Sequence, residues 1–246
     1  PLTVPAAPRI ETRVLSGFAM PSTDPLPSDV LVVPDLSALR FADAVQVSAG
    51  ADGLAKRERT RLSILAAAAR ELDEHPPNAL TVAAVARRAG VAHGTVYLHF
   101  ADGSALVAAV AGAFARFVRG HLSGERAGAP GSDERVRATT RRYAMLFREN
   151  AGLMRCMMQV GAEDRGFRES LHALNRDWNG RVARAIGRRR QAAGLPTEEA
   201  ETLYTAYALD GMIDEFLTQI YIRRDPALAA LAEDPDRIAD LLGRLW

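Results

Sequence analysis

The sequence predicts an all-α protein, and three observations lead to this prediction. From about residue 53 onward apolar residues recur at helical spacing, as at Leu62, Leu65 and Leu72. Glycines, prolines and short polar capping residues separate these segments. There is no internal repeat and no alternation of strand and helix of the kind that builds a parallel sheet. The segment 95–100, TVYLHF, has the composition of a strand. A lone strand would leave its backbone unpaired, so we predict a helix there as well.

Composition narrows the classes of protein that the chain can belong to. The 246 residues carry a net charge of +1, so binding to nucleic acid would depend on local charge. The single cysteine, Cys156, excludes an internal disulfide framework and suits a reducing compartment. No run of eighteen apolar residues and no secretory signal pattern is present. We therefore expect a cytoplasmic protein with no membrane partner.

The chain divides into three regions by composition. Residues 1–52 hold seven of the thirteen prolines, and acids outnumber cations six to three. We predict a proline-rich, flexible extension there. The apolar runs at 30–33 and 36–39 leave open that it docks on the body or on a second subunit. We assign a helix-turn-helix domain to 53–106 and a helical body to 107–246.

Capping residues place the helices of the second region. Thr81 is positioned to cap a helix whose apolar face includes Val82 and Val85, and Gly90 is positioned to end it. Asp102 can cap the next long helix, from about residue 103 to 121. Between them, Val96 and Phe100 are four residues apart, so they share one face of a short helix.

The other face of that short helix carries polar and small residues. His93, Gly94 and Tyr97 lie there with part of Thr95, and His99 follows. Two helices joined by a glycine-containing turn form a helix-turn-helix, whose second helix enters the DNA major groove. Glycine permits close approach of a backbone, and hydroxyl and ring donors bind phosphates and base edges. We therefore interpret 93–100 as a recognition helix.

A basic cluster precedes this motif at residues 56–61. Arg57 and Arg61 are our candidates within it for contact with the phosphate backbone. The alternative is an ordinary solvated helix face, which the cluster taken alone would favour.

The stretch LTVAAVARRAGVAHGTVYLHFAD, followed by SALVAAVAGAF, resembles the DNA-binding region of the TetR (tetracycline-repressor-like) family of transcriptional regulators. The similarity covers about residues 57–106 and centres on the pattern G-V-x-x-G-T-x-Y-x-H-F. It implies a three-helix DNA-binding head, a fourth connecting helix, and an all-helical body that binds a small ligand and dimerises.

The resemblance also assigns roles by position. Thr81 would hold a phosphate, and His93, Gly94, Thr95, Tyr97 and His99 would lie on the recognition helix, with Thr95 and Tyr97 as the principal DNA contacts. Three departures weaken the usual phosphate anchoring. Ala92 replaces a capping hydroxyl residue, Gly103 stands where a lysine is usual, and 76–78 (Pro-Pro-Asn) replaces a glycine-centred turn.

The body supplies candidate pocket residues, although plain core packing explains each of them as well. These candidates are Tyr143, Phe147, Met154, Met157, Trp178, Tyr207 and Asp210. Asp210, Asp214 and Glu215 interrupt an otherwise apolar helix, so they must pair with arginines across a dimer or orient a ligand. Cys156 is either a redox sensor or an inert buried thiol. The arginines 188–190 form a solvated helix end or a site for an anionic ligand such as an acyl-coenzyme A.

Loop and capping residues in the body predict where its helices begin and end. After a loop at 123–133 we expect helices over about 135–148, 153–160 and 167–193. Thr197 is predicted to cap a helix to residue 222, and Asp234 a last helix to Trp246. These last two helices are apolar enough to form a four-helix interface with a second copy, in which Trp246 would be buried.

The sequence thus favours a DNA-binding, ligand-responsive regulator, most simply a homodimeric repressor released from a pseudo-palindromic operator by a small hydrophobic or acyl-type effector. An activator or architectural module without a small-molecule switch, controlled by the N-terminal extension, is the alternative. An enzyme is the weakest hypothesis, because no catalytic constellation, metal-ligand spacing or cofactor motif is visible. We expect no metal and no cofactor.

Overall fold

A computed structural model describes residues 38–124, 127–129 and 131–245, and within these ranges the chain forms ten α-helices and no strand. The fold class predicted from sequence is therefore confirmed. The helices are α1 (Phe41–Ala49), α2 (Lys56–Glu74), α3 (Val82–Ala89), α4 (His93–Tyr97), α5 (Gly103–Gly124), α6 (Asp133–Glu149), α7 (Ala151–Glu163), α8 (Arg165–Ala192), α9 (Glu199–Thr218) and α10 (Pro235–Gly243).

Helices α2 to α4 form the predicted three-helix head. The Thr81 hydroxyl accepts a hydrogen bond from the Ala84 N–H at 3.2 Å and caps α3. Gly90 ends α3 in the left-handed region at φ 67°, a conformation that costs glycine little. Val96 and Phe100 are both buried against the head, as their four-residue spacing predicts.

The extension predicted for 1–52 is wrong in its last part, since residues 41–49 form helix α1. Phe41, Ala44 and Val45 are buried to 1% exposure or less, and α1 packs along α2. Phe41 meets the rings of Phe114 and Phe117 of α5 edge-on, with centroids 5.6 and 5.4 Å apart. Burial of this aromatic face outweighs the unfavourable composition around it. The proline-rich stretch 1–34, with the apolar run at 30–33, lies outside the described residues. Of the second run, at 36–39, Ala38 and Leu39 are described, and both pack half-buried against the core.

Helix α5 connects the head to the body and supplies the centre of the core. Its buried residues include Leu106, Val110 and Phe114, and Asp102 caps its first turn through the Ala105 N–H at 2.7 Å. Among the described helices it alone is long and apolar enough to cross a membrane, but most of that stretch is buried inside the protein, as in a core helix.

Head and body meet where α7 begins. A Cβ placed on Gly152 would lie 2.0 Å from the carbonyl oxygen of Asp73, so only glycine allows α7 to approach the end of α2 this closely. The Asp73 carboxylate accepts the Gly152 N–H at 3.0 Å and thereby caps α7. The two parts of the molecule are therefore packed against each other backbone to backbone.

The body consists of α6 to α10 around α5. Helices α8 and α9 pack along each other, and α10 packs on α6 with Ile238, Ala239 and Leu242 inside. Asp234 caps α10 as predicted, accepting the Arg237 N–H at 2.9 Å.

Two sequence predictions for the body are corrected. Thr197 does not cap α9, because its hydroxyl donates to the Leu195 carbonyl and Glu198 occupies the capping position without a side-chain bond. The α-helix also ends at Thr218, where a π-helical turn over Gln219–Arg223 continues to Arg224 in the left-handed region. A 3-10 helix at Pro226–Leu231 follows, in a stretch between the two predicted helices for which no helix was predicted. Trp246 lies outside the described residues.

Candidate DNA-binding surface and ligand cavity

Helix α4 turns its apolar residue inward and its polar residues outward. Val96 is 1% exposed, whereas His93, Gly94 and Tyr97 are exposed and Thr95 is half-buried. The rings of His93 and Tyr97 lie edge to face with centroids 5.3 Å apart, so each restricts the other. A Cβ on Gly94 would meet no described atom within 4 Å, so packing within the head does not require glycine there.

One further residue on this surface was not singled out from sequence. Leu98, directly after α4, is 73% exposed, the most exposed of the large apolar side chains described. Its position next to Tyr97 is the signal that could have identified it, since an exposed leucine at a recognition helix can contact a thymine methyl group.

The start of α4 has no side-chain cap. Ala92 occupies the capping position and makes no side-chain bond, as the departure from the family pattern implied. Thr81 differs, because its hydroxyl oxygen accepts a bond within α3 while the side chain stays exposed and its O–H remains a donor.

The two candidate arginines of α2 have different environments. Arg57 is exposed. Arg61 is half-buried, donates from Nη1 to the His99 carbonyl at 2.9 Å and lies 4.5 Å from the centroid of the Phe100 ring. Burial, followed by repulsion from Arg57, lowers the pKa of Arg61, and burial with both arginines lowers the pKa of His99. Arg61 thus fixes the end of the recognition segment.

The body encloses a cavity of about 340 Å³ between α5, α6, α7, α8 and α9. Four of the predicted pocket residues line it, namely Tyr143, Met157, Trp178 and Asp210. The other three do not. Phe147 and Met154 are completely buried in the core, and Tyr207 is 44% exposed on the outer side of α9.

The cavity runs along α8, and its two ends differ in polarity. Near the start of α8 its wall is apolar, with Leu171, Leu174 and Met157. Near the end of α8 the wall includes Arg188, together with Arg135 from α6. Arg188 has no acidic partner among the described residues, whereas Arg189 beside it pairs with Asp133 at 2.6 Å.

Two hydrogen-bonded pairs stand at the middle of the cavity wall. Asn179 Nδ2 donates to Asp210 Oδ2 at 3.1 Å, and the Tyr143 hydroxyl donates to Asp214 Oδ1 at 2.6 Å. Burial raises the pKa of Asp210, and it raises the pKa of Asp214 to about 6. Sequence reasoning missed Asn179, although its spacing from Val182 and Ile186 places an amide on the inner face of α8.

The remaining candidates of the body lie away from this wall. Glu215 is exposed and lies 2.7 Å from Arg223, so the two residues form an ion pair on the surface. Cys156 is 1% exposed, and burial raises the pKa of its thiol to about 12. Of the two interpretations of this cysteine, the geometry fits the inert thiol. Within the described ranges, no three His, Cys, Asp or Glu side chains are grouped as a metal site.

The outer side of α9 and α10 carries exposed apolar residues. Tyr204 is 65% exposed and Met212 37%, on the same helix as Tyr207. On α10 and just after it, Leu241 and Leu245 are exposed to 38% and 55%. We call these five exposed apolar side chains, taken together, the apolar outer face of the last two helices.

Comparison with known proteins shows which family of proteins the head resembles. Residues 64–110 match the family model described as bacterial regulatory proteins, tetR family. The match includes α3, α4 and the first part of α5. No curated protein matches the chain by sequence.

Solved structures share the fold beyond the head. PfmR, a TetR-family transcriptional regulator from Thermus thermophilus, is 20% identical with a TM-score of 0.57, over 74% of this chain and 97% of its own. A transcriptional regulator from Rhodococcus sp. Rha1 is 18% identical, with a TM-score of 0.60 over 75% and 94% of the two chains.

The transcriptional regulator FadR from Bacillus subtilis, solved in complex with stearoyl-CoA, is 17% identical, with a TM-score of 0.52 over 74% and 96%. At these identities the likeness to the solved structures shows the fold alone. The head of this chain, over residues 64–110, is similar to the DNA-binding region of the TetR family of bacterial regulatory proteins.

Proposed function

We propose that this protein is a homodimeric transcriptional repressor that binds a pseudo-palindromic operator and leaves it when a small hydrophobic or acyl-type effector enters the cavity. The observation that carries the proposal is the orientation of α4. Val96 anchors the helix in the head, and His93, Gly94 and Tyr97 face outward. We place the protein in the cytoplasm, where its DNA is.

The DNA contacts follow from exposure and chemistry. Thr95 and Tyr97 would bind base edges or phosphates, with His93 beside Tyr97 and Gly94 allowing close approach. Thr81 and Arg57 would bind phosphates on either side. Arg61 donates a hydrogen bond to the His99 carbonyl. These two residues would therefore hold the end of the recognition helix in place as well as contact DNA.

Dimerisation would use the apolar outer face of the last two helices. Exposed tyrosine, methionine and leucine side chains are typical of the core of an interface. A dimer is needed because two recognition helices must stand about one DNA turn apart, roughly 34–36 Å, to read both half-sites.

The cavity would hold the effector. Its apolar end suits a hydrocarbon or aromatic body, and Arg188 at the other end, without an acidic partner among the described residues, suits an anionic group. The stearoyl-CoA complex of the FadR relative shows that this fold can hold an acyl-type ligand in that protein. Helix α5 lines the cavity and runs into the head, so it would transmit the change. The effector can shift the dimer only by its differential affinity for the two states.

The direct experiment is selection of bound genomic fragments by the purified full chain, followed by footprinting. We expect protected half-sites about 10 base pairs apart, centre to centre, or a multiple of that spacing. Recovery of fragments without a shared sequence, at an affinity equal to that for random DNA, would refute the operator.

An activator or architectural module without a ligand switch is the second candidate. Thermal-shift screening with hydrophobic and acyl compounds distinguishes the two, because a ligand of the native state raises the melting temperature by mass action. The cavity favours the ligand-responsive regulator.

A further inference from the structure

The two polar pairs of the cavity wall share one arrangement. Asp210 and Asp214 lie one turn apart on α9, and each accepts a hydrogen bond from a cavity-lining residue of another helix. Asp210 takes the Nδ2 donor of Asn179 on α8, and Asp214 takes the hydroxyl donor of Tyr143 on α6. The donors of both wall residues are therefore engaged by carboxylates of α9.

Asparagine can offer either end of its amide to a ligand, and Asp210 removes that choice. An ionised carboxylate only accepts hydrogen bonds, so it holds the NH₂ end of the Asn179 amide. The Oδ1 end remains, and it has no hydrogen-bond partner among the described residues. Asn179 is 0% exposed, so this acceptor has no access to bulk water.

An unpaired acceptor in such a place is costly. A buried polar group without a partner costs about 1–3 kcal/mol, so most are satisfied in native proteins. The Tyr143 O–H donates its hydrogen bond to Asp214, so the Tyr143 oxygen can only accept a hydrogen bond from a ligand. At these two positions the wall therefore offers acceptors, whereas Arg119 and Trp178 elsewhere in the lining carry donors.

From this arrangement we propose that the effector carries an O–H or N–H donor on its apolar body, and that Asn179, oriented by Asp210, selects it by accepting that hydrogen bond. The proposal rests on the ligand-responsive function proposed above and narrows the chemical class to which the effector belongs. Hydroxylated or N–H-bearing hydrophobic molecules are the expected class, and they should bind more tightly than plain hydrocarbon chains, ethers and ketones of the same size. Asn179 is the residue that determines this specificity, and Asp210 is a positioning residue.

The test uses pairs of probes that differ only in the donor. Dodecanol, hexylphenol and ω-hydroxydodecanoate are each compared with their methyl ethers, by titration calorimetry on the full chain and by release of a selected operator fragment. The ether keeps the oxygen but can only accept. In the wild type we expect the donor member of at least one pair to bind about tenfold more tightly than its ether.

Variants attribute the preference to the proposed residues. In Asn179→Leu the donor preference should disappear, whereas Asn175→Leu, on the same helix outside the cavity wall, should retain it. Asp210→Asn frees the Asn179 amide to rotate, so the affinity ratio within a pair should fall toward one. A merely structural role of Asp210 would lower both affinities and leave their ratio unchanged. The Asp210→Asn ratio also decides the matter if Asn179→Leu does not fold.

The outcomes separate this inference from the function on which it rests. Equal binding of alcohols and ethers that both release the operator would overturn the donor preference and leave the ligand-responsive regulator standing. Absence of binding by all six probes, with operator binding intact, would overturn both the effector cavity and the donor preference.

Discussion

The backbone N–H of Phe41 donates to Asn150 Oδ1 at 2.8 Å, across 109 residues of sequence. The Asn150 amide also donates to the carbonyl oxygens of Leu39 and Leu146, both at 2.8 Å. One fully buried asparagine thus joins the start of α1 to the junction of α6 and α7. Helix α1 is consequently part of the core that fixes the head on the body.

Phe41→Ala should lower the free energy of unfolding by about 3–5 kcal/mol, because it empties the site between Phe114 and Phe117. Val47, which is 58% exposed on the same helix, provides the control, and Val47→Ala should change stability by less than about 0.5 kcal/mol. Urea denaturation followed by circular dichroism measures both. Equal, small losses would show that α1 is not packed in solution.

Asp214→Asn should stabilise the protein at neutral pH. Burial raises the pKa of Asp214 from 3.8 to about 6, so folding disfavours its ionised form, and asparagine still accepts the Tyr143 hydrogen bond. A raised carboxyl pKa means that the wild type gains stability as pH falls through 6 toward 4. The variant should be more stable by roughly 2–3 kcal/mol at pH 7.5, with the difference vanishing below about pH 4. A variant less stable than the wild type at both pH values would contradict this assignment.

Substitutions of Arg57 and Arg61 should have different effects, because we expect Arg57 to contact DNA and Arg61 to stabilise the head. Arg57→Gln should reduce the slope of log affinity against log salt by about 1 and leave stability unchanged. Arg61→Gln should cost about 1–3 kcal/mol of stability, since it removes the charged donor to the His99 carbonyl and the cation above the Phe100 ring. Salt titrations of operator binding and urea denaturation distinguish them. An unchanged salt slope in Arg57→Gln would exclude that phosphate contact.

Cys156 should be unreactive in the native protein. Its thiol is buried, and a pKa of about 12 leaves very little thiolate at pH 8. We expect Ellman's reagent to modify it in urea but not in buffer over the same interval. Fast native modification accompanied by loss of DNA binding would instead establish the redox-sensor hypothesis.

Local signals in the sequence predicted much of the head. Thr81, Gly90 and Asp102 act through bonds and dihedral angles within a few residues, so they mark helix ends without knowledge of the rest of the fold. The recognition segment was also predictable, because the four-residue spacing of Val96 and Phe100 outweighs its strand-like composition.

Helix α1 was not predicted and the cavity wall was predicted only in part, because both depend on contacts between residues that are distant in sequence. Helix α1 is buried by rings more than 70 residues away, which no local pattern of a proline-rich segment reveals. In the body, helical spacing identifies an inner face but does not separate core from cavity wall. Phe147 fills the core and Tyr143, one turn earlier, lines the cavity. Asn179 was missed because its importance comes from Asp210, on a different helix.

Helix α4 is the proposed DNA-reading element, and an electrophoretic mobility-shift titration of Tyr97→Ala on a selected operator fragment tests this role most directly. We predict loss of the specific complex while analytical ultracentrifugation shows the same oligomeric state, with Leu195→Ala, exposed in the body, retaining wild-type affinity. A Tyr97→Ala protein that shifts the operator at the wild-type concentration would show that the surface of α4 does not read the DNA.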